Sequence, residues 1–256
     1  MMDLSFREAS AKYSSGSQKA RVWTEQWVAE SLFCPNCGNY RIRQFPPNLP
    51  VADFFCTNCG DQYELKSQKK PFTQKVADGA YETKQRRLLS DSSPNLMLLN
   101  YDIDSSSVRN LFVVPKHFFV ASIVERRKPL AQTARRAGWV GSNILLHRIP
   151  ASGRIFIVRD GVPIDKDAVL TSWARTLFLR QSDASSRTWL MEVMRCLESL
   201  PMQEFGIEDA YRFEDRLKAI YPNNRNVRPK IRQQLQILRD NGYLEFRARG
   251  RYRLLV

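Results

Sequence analysis

No part of this chain is continuously apolar: across its 256 residues no window approaches the roughly 18 uncharged residues of a membrane span. The opening stretch MMDLSFREASAKYSSGSQKAR has no apolar h-region, so no secretory leader is expected and the protein is read as cytoplasmic. Histidine is nearly missing, with only His117 and His147 to serve chemistry that needs an imidazole. Heptads are missing too, which argues against a coiled-coil dimer and leaves a monomer as the expectation. Acidic side chains are in deficit, 26 against 40 lysines and arginines, for a formal charge of +14. That surplus draws a protein to a polyanion, and nucleic acid is the leading candidate. What is present in ordinary measure is apolar residue content, 43%, enough for one sizeable domain and a smaller one.

Cysteine is scarce, five in all, yet four lie in two Cys-x-x-Cys pairs: Cys34 and Cys37 in FCPNCGN, Cys56 and Cys59 in FCTNCGD. Their separation suits four thiolates around one Zn²⁺, and a reducing compartment favours metal over disulfides. Each pair is followed by glycine, which suits the tight knuckle such a site requires. Four thiolates fill the tetrahedron, so the zinc is expected to be structural.

Between and after the pairs run VADFF, residues 51–55, and YELKS, residues 63–67. We read them as a β-hairpin closed by the second knuckle. Residues two apart on a strand share a face, so Glu64 and Lys66 project together, with Leu65 behind them and Asp53 beside them on the partner strand. Two carboxylates can hold Mg²⁺, which neutralises phosphate charge and acidifies an attacking water, while a lysine can steady that water and the phosphorus oxygens. These are the groups that phosphodiester hydrolysis needs. A half-exposed strand that happens to carry Glu and Lys is the plainer alternative.

Elsewhere a helix is expected over about 17–32, with Val22, Trp23, Trp27 and Val28 toward the core and Gln18 and Glu25 on a common side. A second is expected from about Gln74 to Leu89, with Val76, Ala77, Ala80, Tyr81, Lys84 and Leu88 as its stripe. Segments 95–101, 110–115 and 154–160 read as core strands, making an α/β domain. The stretch RRKPLAQTARRAGWVGSN holds five basic residues and no acid; Arg135, Arg136 and Trp139 there can hold phosphate and lay a ring against a base. After the polar linker RQSDASSRT come three helical segments and a basic hairpin, the pattern of a winged helix-turn-helix. Its third helix offers Arg228, Lys230, Arg232, Gln233, Gln234 and Gln236 on the side or entry away from the core, and its wing Arg247, Arg249, Arg251 and Arg253. Cys196 reads as a core residue.

With SQKAR, CPNCGN, PVADFFC, ELKS, KPLAQTARRAGW, GRIFIV and IRQQLQILRD in hand, the chain resembles the DpnI family of methyl-directed restriction endonucleases over essentially its whole length. The resemblance implies a PD-(D/E)xK catalytic domain with an embedded four-cysteine zinc site, residues 1–182, followed by a winged-helix DNA-binding domain, residues 183–256. It implies a bacterial enzyme that cuts double-stranded DNA at GATC when the adenine is N6-methylated. Asp53, Glu64 and Lys66 take the catalytic positions, Asp53, Glu64 and Leu65 the Mg²⁺-binding ones, and Trp139 stands in the methyl-reading loop. The proline that usually directly precedes the motif aspartate is displaced to Pro50.

Two rivals remain in view. An HNH nuclease also carries paired knuckles but needs a histidine in the knuckle hairpin, where neither His117 nor His147 falls. A non-catalytic zinc-ribbon and winged-helix regulator would leave Glu64 and Lys66 as bystanders.

Overall fold

A computed structural model describes residues 2–6, 16–46, 52–90 and 92–255. Pro50 and Val51 lie outside them. Helix α1 (Gly16–Ser31) is followed by the short strands β1 (Arg43–Gln44) and β2 (Phe54–Phe55), then β3 (Gln62–Gln68), β4 (Lys75–Ala80) and α2 (Tyr81–Leu89). Strands β5 (Asn95–Asp102), β6 (Ser107–Val114), β7 (Val124–Arg126), β8 (Gly141–Leu145), β9 (Ile155–Arg159) and β10 (Val162–Pro163) lead to α3 (Lys166–Ala174). The C-terminal part holds α4 (Ala184–Glu198), β11 (Glu204–Gly206), α5 (Ile207–Tyr211), α6 (Glu214–Ile220), α7 (Val227–Asp240), β12 (Leu244–Ala248) and β13 (Arg251–Leu254).

The main sheet runs β1-β2-β3-β5-β6-β9-β10, with β3 and β5 parallel and the other pairs antiparallel. Strand β5, NLMLLNYD, is apolar on both faces because both are covered. Met97, Leu99 and Tyr101 face a core completed by Trp27, Val28 and Leu32 of the α1 region and by Val169 and Trp173 of α3. Leu96 and Leu98 face the opposite core with Phe118, Val120 and Ile144. Across that second face lies a small antiparallel sheet, β4-β8-β7.

The expected helix over 74–89 is only half right. Residues 75–80 are a strand paired with β8, and the helix begins at Tyr81. Val76 and Asp78 are buried while Lys75, Ala77 and Gly79 are exposed, a period of two that suits a sheet and not a helix face. Gly79 also weakens a helix there by about 1 kcal/mol.

The C-terminal part is a helix-turn-helix with a wing: α6 and α7 flank the turn, and β11-β13-β12 form the added sheet. Strand β11 was not expected from the sequence. Asp183 caps α4, its carboxylate accepting the N–H groups of Ser185 and Ser186 at 2.9 and 3.0 Å. Trp189, Leu190 and Val193 of α4 join the same core cluster as Phe118, Val120 and Ile149, so the two parts share one apolar interior. Glu198 reinforces the seam by accepting the Ser152 N–H at 3.2 Å together with the Ala151 N–H and the Tyr243 O–H. Cys196 is buried as expected.

Gln234 corrects the sequence reading. Instead of pointing outward to DNA it is 0% exposed, because Val227, Ile231, Gln234 and Leu238 recur at the four-three-four spacing of one helix stripe. Among the described residues neither its amide nitrogen nor its oxygen has a hydrogen-bond partner. An unpaired buried amide costs about 1–3 kcal/mol. Gln234→Met is therefore expected to raise the thermal midpoint by about 2–8 °C and leave DNA affinity unchanged; a melt and a titration check both, and a loss of affinity would return Gln234 to the DNA face.

Candidate active site

Both cysteine knuckles fold the same way. The N–H of Gly38 reaches the carbonyl of Cys34 at 2.8 Å and that of Gly60 the carbonyl of Cys56 at 3.0 Å, and both glycines take positive φ, 73° and 75°. A side chain is strained in that region, which is why glycine closes each knuckle. The four Sγ atoms lie within 4.8 Å of one another, and Cys34 to Cys59 and Cys37 to Cys56 are each 3.6 Å apart. A tetrahedral zinc thiolate, with bonds of ~2.3 Å, needs sulfurs about 3.8 Å apart, so this cluster can hold one zinc. Burial pushes the Cys34 thiol well up and that of Cys59 up to about 11. At Cys37 burial acts the same way, but hydrogen bonds from Asn58 and Asn39 outweigh it and bring the thiol down to about 7. A cation is what would let all four ionise together. Asp61, just past the second knuckle, ties the cluster to the chain beyond α3 through Arg180 at 2.9 Å and to the first knuckle through Asn36 at 2.7 Å.

The knuckle ends the β2–β3 hairpin, which pairs at Phe54 with Tyr63 and Phe55 with Gln62. Beyond Tyr63 the outer edge of β3 is free of β2, and there Asp53 takes over. Its N–H reaches the Tyr63 carbonyl at 2.9 Å, and its Oδ2 accepts the N–H of Leu65 at 2.7 Å. A strand residue's N–H and C=O point to the same side, so the Leu65 carbonyl also faces the Asp53 edge and not β5. Burial raises the Asp53 carboxyl above the usual range; the Leu65 N–H opposes that, and the charges of Glu25 and Glu64 add to it.

Glu64 and Lys66 do share a face, with Lys66 Nζ 2.6 Å from Glu64 Oε1. Asp53, Glu64, Leu65 and Lys66 line one cleft of about 590 Å³ together with Arg21 and Glu25 of α1 and Arg87 of α2. Of the two polar residues of α1 raised from sequence, Glu25 therefore lines the cleft, where it accepts from Arg21 Nε at 2.5 Å and Gln44 at 2.9 Å, whereas Gln18 is exposed. Sequence reasoning missed two residues. Asp78 of β4 lies 3.0 Å from Lys66, and Lys84 of α2 lies 2.6 Å from Asp78 and 3.6 Å from Glu64. Burial opposes the charge on Lys66, but Glu64 and Asp78 hold it well above the usual lysine range. Burial likewise opposes the charge on Asp78, and Lys84 and Lys66 hold it well below the usual carboxylate range. The available signal was a lysine on an otherwise apolar stripe.

Arg135 and Arg136 are exposed on the loop joining β7 to β8, and Trp139 is half-buried there. Its ring lies on Gly141, where an added Cβ would come within 2.8 Å, and carries the Arg136 guanidinium at 4.9 Å. In the C-terminal part Arg228, Arg232 and Gln233 of α7 are exposed, Lys230 half-buried, and Arg249 and Arg251 exposed on the wing. Arg228 also pairs with Glu214 at 2.6 Å. His117 is buried against Thr176 at 2.8 Å, with burial and then the Arg180 charge holding it down to about 3. His147 lies at 3.1 Å from the Gln74 carbonyl, and neither histidine lines the cleft.

A carboxylate and lysine cleft at a mixed sheet edge, joined through one core to a winged helix-turn-helix, defines a DNA-binding protein of α/β architecture. The model of the Dam-replacing family matches residues 2–182, and that of the Dam-replacing HTH domain matches residues 185–254. The chain belongs to the Dam-replacing family. Membership supports a methyl-directed restriction enzyme with DNA as its partner. Among the described residues no helix is long and apolar enough to cross a membrane.

Native mass spectrometry is expected to find one zinc per chain. Cys56→Ser should lose it and lower the thermal midpoint by at least about 5 °C; an unchanged midpoint in a zinc-free variant would remove the metal from the fold.

Proposed function

We propose that the protein is a PD-(D/E)xK endonuclease, hydrolysing phosphodiester bonds of double-stranded DNA at GATC sites that carry N6-methyladenine. The observation that carries this reading is the convergence of Leu65, Glu64 and Lys66 of β3 with Asp53, the residue just before β2, on one cleft. The Asp53 and Glu64 carboxylates and the Leu65 carbonyl are oxygen donors of the kind Mg²⁺ takes, and Mg²⁺ when bound would neutralise charge on the scissile phosphate. Asp53 is suited to that role because its hydrogen bond to Leu65 fixes its carboxylate at the strand edge while burial makes an unpartnered charge costly there. Lys66 stays charged and lines the cleft, where its ammonium can orient water and stabilise the phosphoryl oxygens.

In this reading residues 1–182 do the chemistry and residues 183–256 bind DNA, in a monomer of the bacterial cytoplasm. Arg135, Arg136, Arg228, Lys230, Arg232, Arg249 and Arg251 meet phosphates or guanines, Gln233 a base edge, and Trp139 the methylated adenine. Neither histidine lies in the cleft, so an HNH mechanism has no base to use.

Methyl recognition is energetically hard. Burying one methyl is worth about 0.8 kcal/mol, roughly fourfold in affinity, and a palindrome supplies it only twice. We infer that both parts of the chain sense methylation and that their preferences multiply.

The deciding experiment digests one plasmid grown with and without adenine methylation, in Mg²⁺ or EDTA. Only methylated DNA with Mg²⁺ is expected to be cut, and Lys66→Ala and Asp53→Ala are expected to cut at least about 100-fold more slowly while still binding. Full cleavage by Lys66→Ala, or none by the wild type, would favour the non-catalytic regulator. In the full chain, Trp139→Ala and Arg232→Ala are each expected to lower the ratio of methylated to unmodified binding, and together to lower it by the product. A ratio untouched by Arg232→Ala would confine methyl reading to the first part.

A further inference from the structure

Behind the cleft the charges close into a ring. Lys66 touches Glu64 Oε1 at 2.6 Å and Asp78 Oδ1 at 3.0 Å, while Lys84 touches Asp78 Oδ2 at 2.6 Å and Glu64 Oε2 at 3.6 Å. Each carboxylate gives one oxygen to each lysine. The ring is graded in depth: the Glu64 and Lys66 side chains are 20% and 28% exposed, Asp78 and Lys84 only 2% and 6%. Two charges face the cleft and two are sealed between β4, α2 and the Phe119 ring, which Lys84 overlies at 5.6 Å.

A sealed ion pair is a poor source of stability, since two apolar side chains of similar volume usually do as well or better. Its position suggests another use. Lysine has a flexible stem, and Lys66 has two anchors of different kinds. Glu64 is the anchor that a divalent cation in the cleft would claim. Asp78 is too deep to be claimed and remains. Lys84 balances Asp78, so the anchor neither carries an unpaired buried charge nor draws Lys66 back from the cleft.

Building on the nuclease reading above, we propose that Asp78 and Lys84 are positioning residues for that reaction: a buried ion pair that keeps the Lys66 ammonium aimed into the cleft once Glu64 is engaged with metal. Neither touches the substrate. Loss of the pair lets Lys66 wander over its rotamers, and displacement of a reacting group by about 1 Å can cost about a hundredfold in rate.

The test compares Asp78→Asn, Lys84→Met, Lys84→Arg and the double Asp78→Asn/Lys84→Met in the full chain, reading cleavage of methylated plasmid, DNA binding in EDTA and thermal midpoint. Each single neutralisation leaves a buried charge with one partner in place of two, Asp78 with Lys66 or Lys84 with Glu64, and is expected to lower the midpoint. The double variant removes both charges and should recover much of that loss. Its kcat, however, should stay about 10-fold to 100-fold below wild type, with KM and binding in EDTA unchanged. Lys84→Arg keeps the charge and should retain more activity than Lys84→Met. A double variant that regains cleavage along with its midpoint, or an Asp78→Asn variant that cuts at the wild-type rate, would overturn the proposal. Failure of the nuclease reading itself looks different, because then the wild type does not cut or Lys66→Ala cuts fully.

Discussion

Strand β2 is two residues long, and its pairing with β3 is the contact on which the cleft depends. Two ladder positions cannot hold a hairpin by themselves; isolated hairpins are marginal even when longer. Here the pair is braced at one end by the Cys56–Cys59 knuckle, itself tied through Asp61 to Arg180 and Asn36. At the other end Asp53 leaves the ladder and turns its carboxylate onto the Leu65 N–H. The shortness of β2 is what makes the site: a longer strand would have covered the Leu65 main chain with ordinary sheet hydrogen bonds. The four-cysteine cluster and the cleft are thus two ends of one short lever.

A second constraint is the shared interior. Trp189, Leu190 and Val193 of α4 pack among residues of the first part, and the Glu198 carboxylate spans the seam to Ser152 and Tyr243. An apolar interface of that kind resembles a domain core more than a transient contact. The winged module is accordingly held at a set position relative to the cleft. If both parts read methylation as proposed, two readers on such a frame would meet DNA in one geometry, which favours multiplication of weak preferences, because the cost of ordering falls only once.

Much of this was legible in the sequence where chemistry and spacing coincide. The paired cysteines, the two-residue step from Glu64 to Lys66 and the runs at 95–101 and 110–115 all carry local physical signals that tertiary context does not reverse. Two readings failed where period was judged on too short a window. Residues 74–80 contain apolar positions that fit a helix or a strand, and only pairing with β8 decides for the strand. Gln234 is polar by type yet lies on the apolar stripe by position, and the spacing from Val227 and Ile231 should have outweighed its chemistry. Asp78 and Lys84 were missed for a different reason: apart from a lysine on an apolar stripe nothing local marks them, and they are brought to Glu64 and Lys66 by the docking of β4 and α2 on the main sheet.

The buried polar groups separate by what surrounds them. Gln234 is unsatisfied and lies inside a helix-turn-helix core, where it weakens the fold and touches nothing that reacts. Asp78 and Lys84 are also deeply buried, but their charges are matched and they abut Glu64 and Lys66, which line the cleft. Desolvating a carboxylate and an ammonium costs several kcal/mol each, and mutual attraction returns that only when the geometry is tight. Three contacts of 3.0 Å or less bring the ring's charges together, although Asp78 Oδ2 meets Lys84 as an ion pair without hydrogen-bond geometry. On the proposed reading, matched charge next to Glu64 and Lys66 would pre-organise the site: fixed partners would hold the lysine's direction before any substrate arrives, leaving little reorganisation for the reacting state.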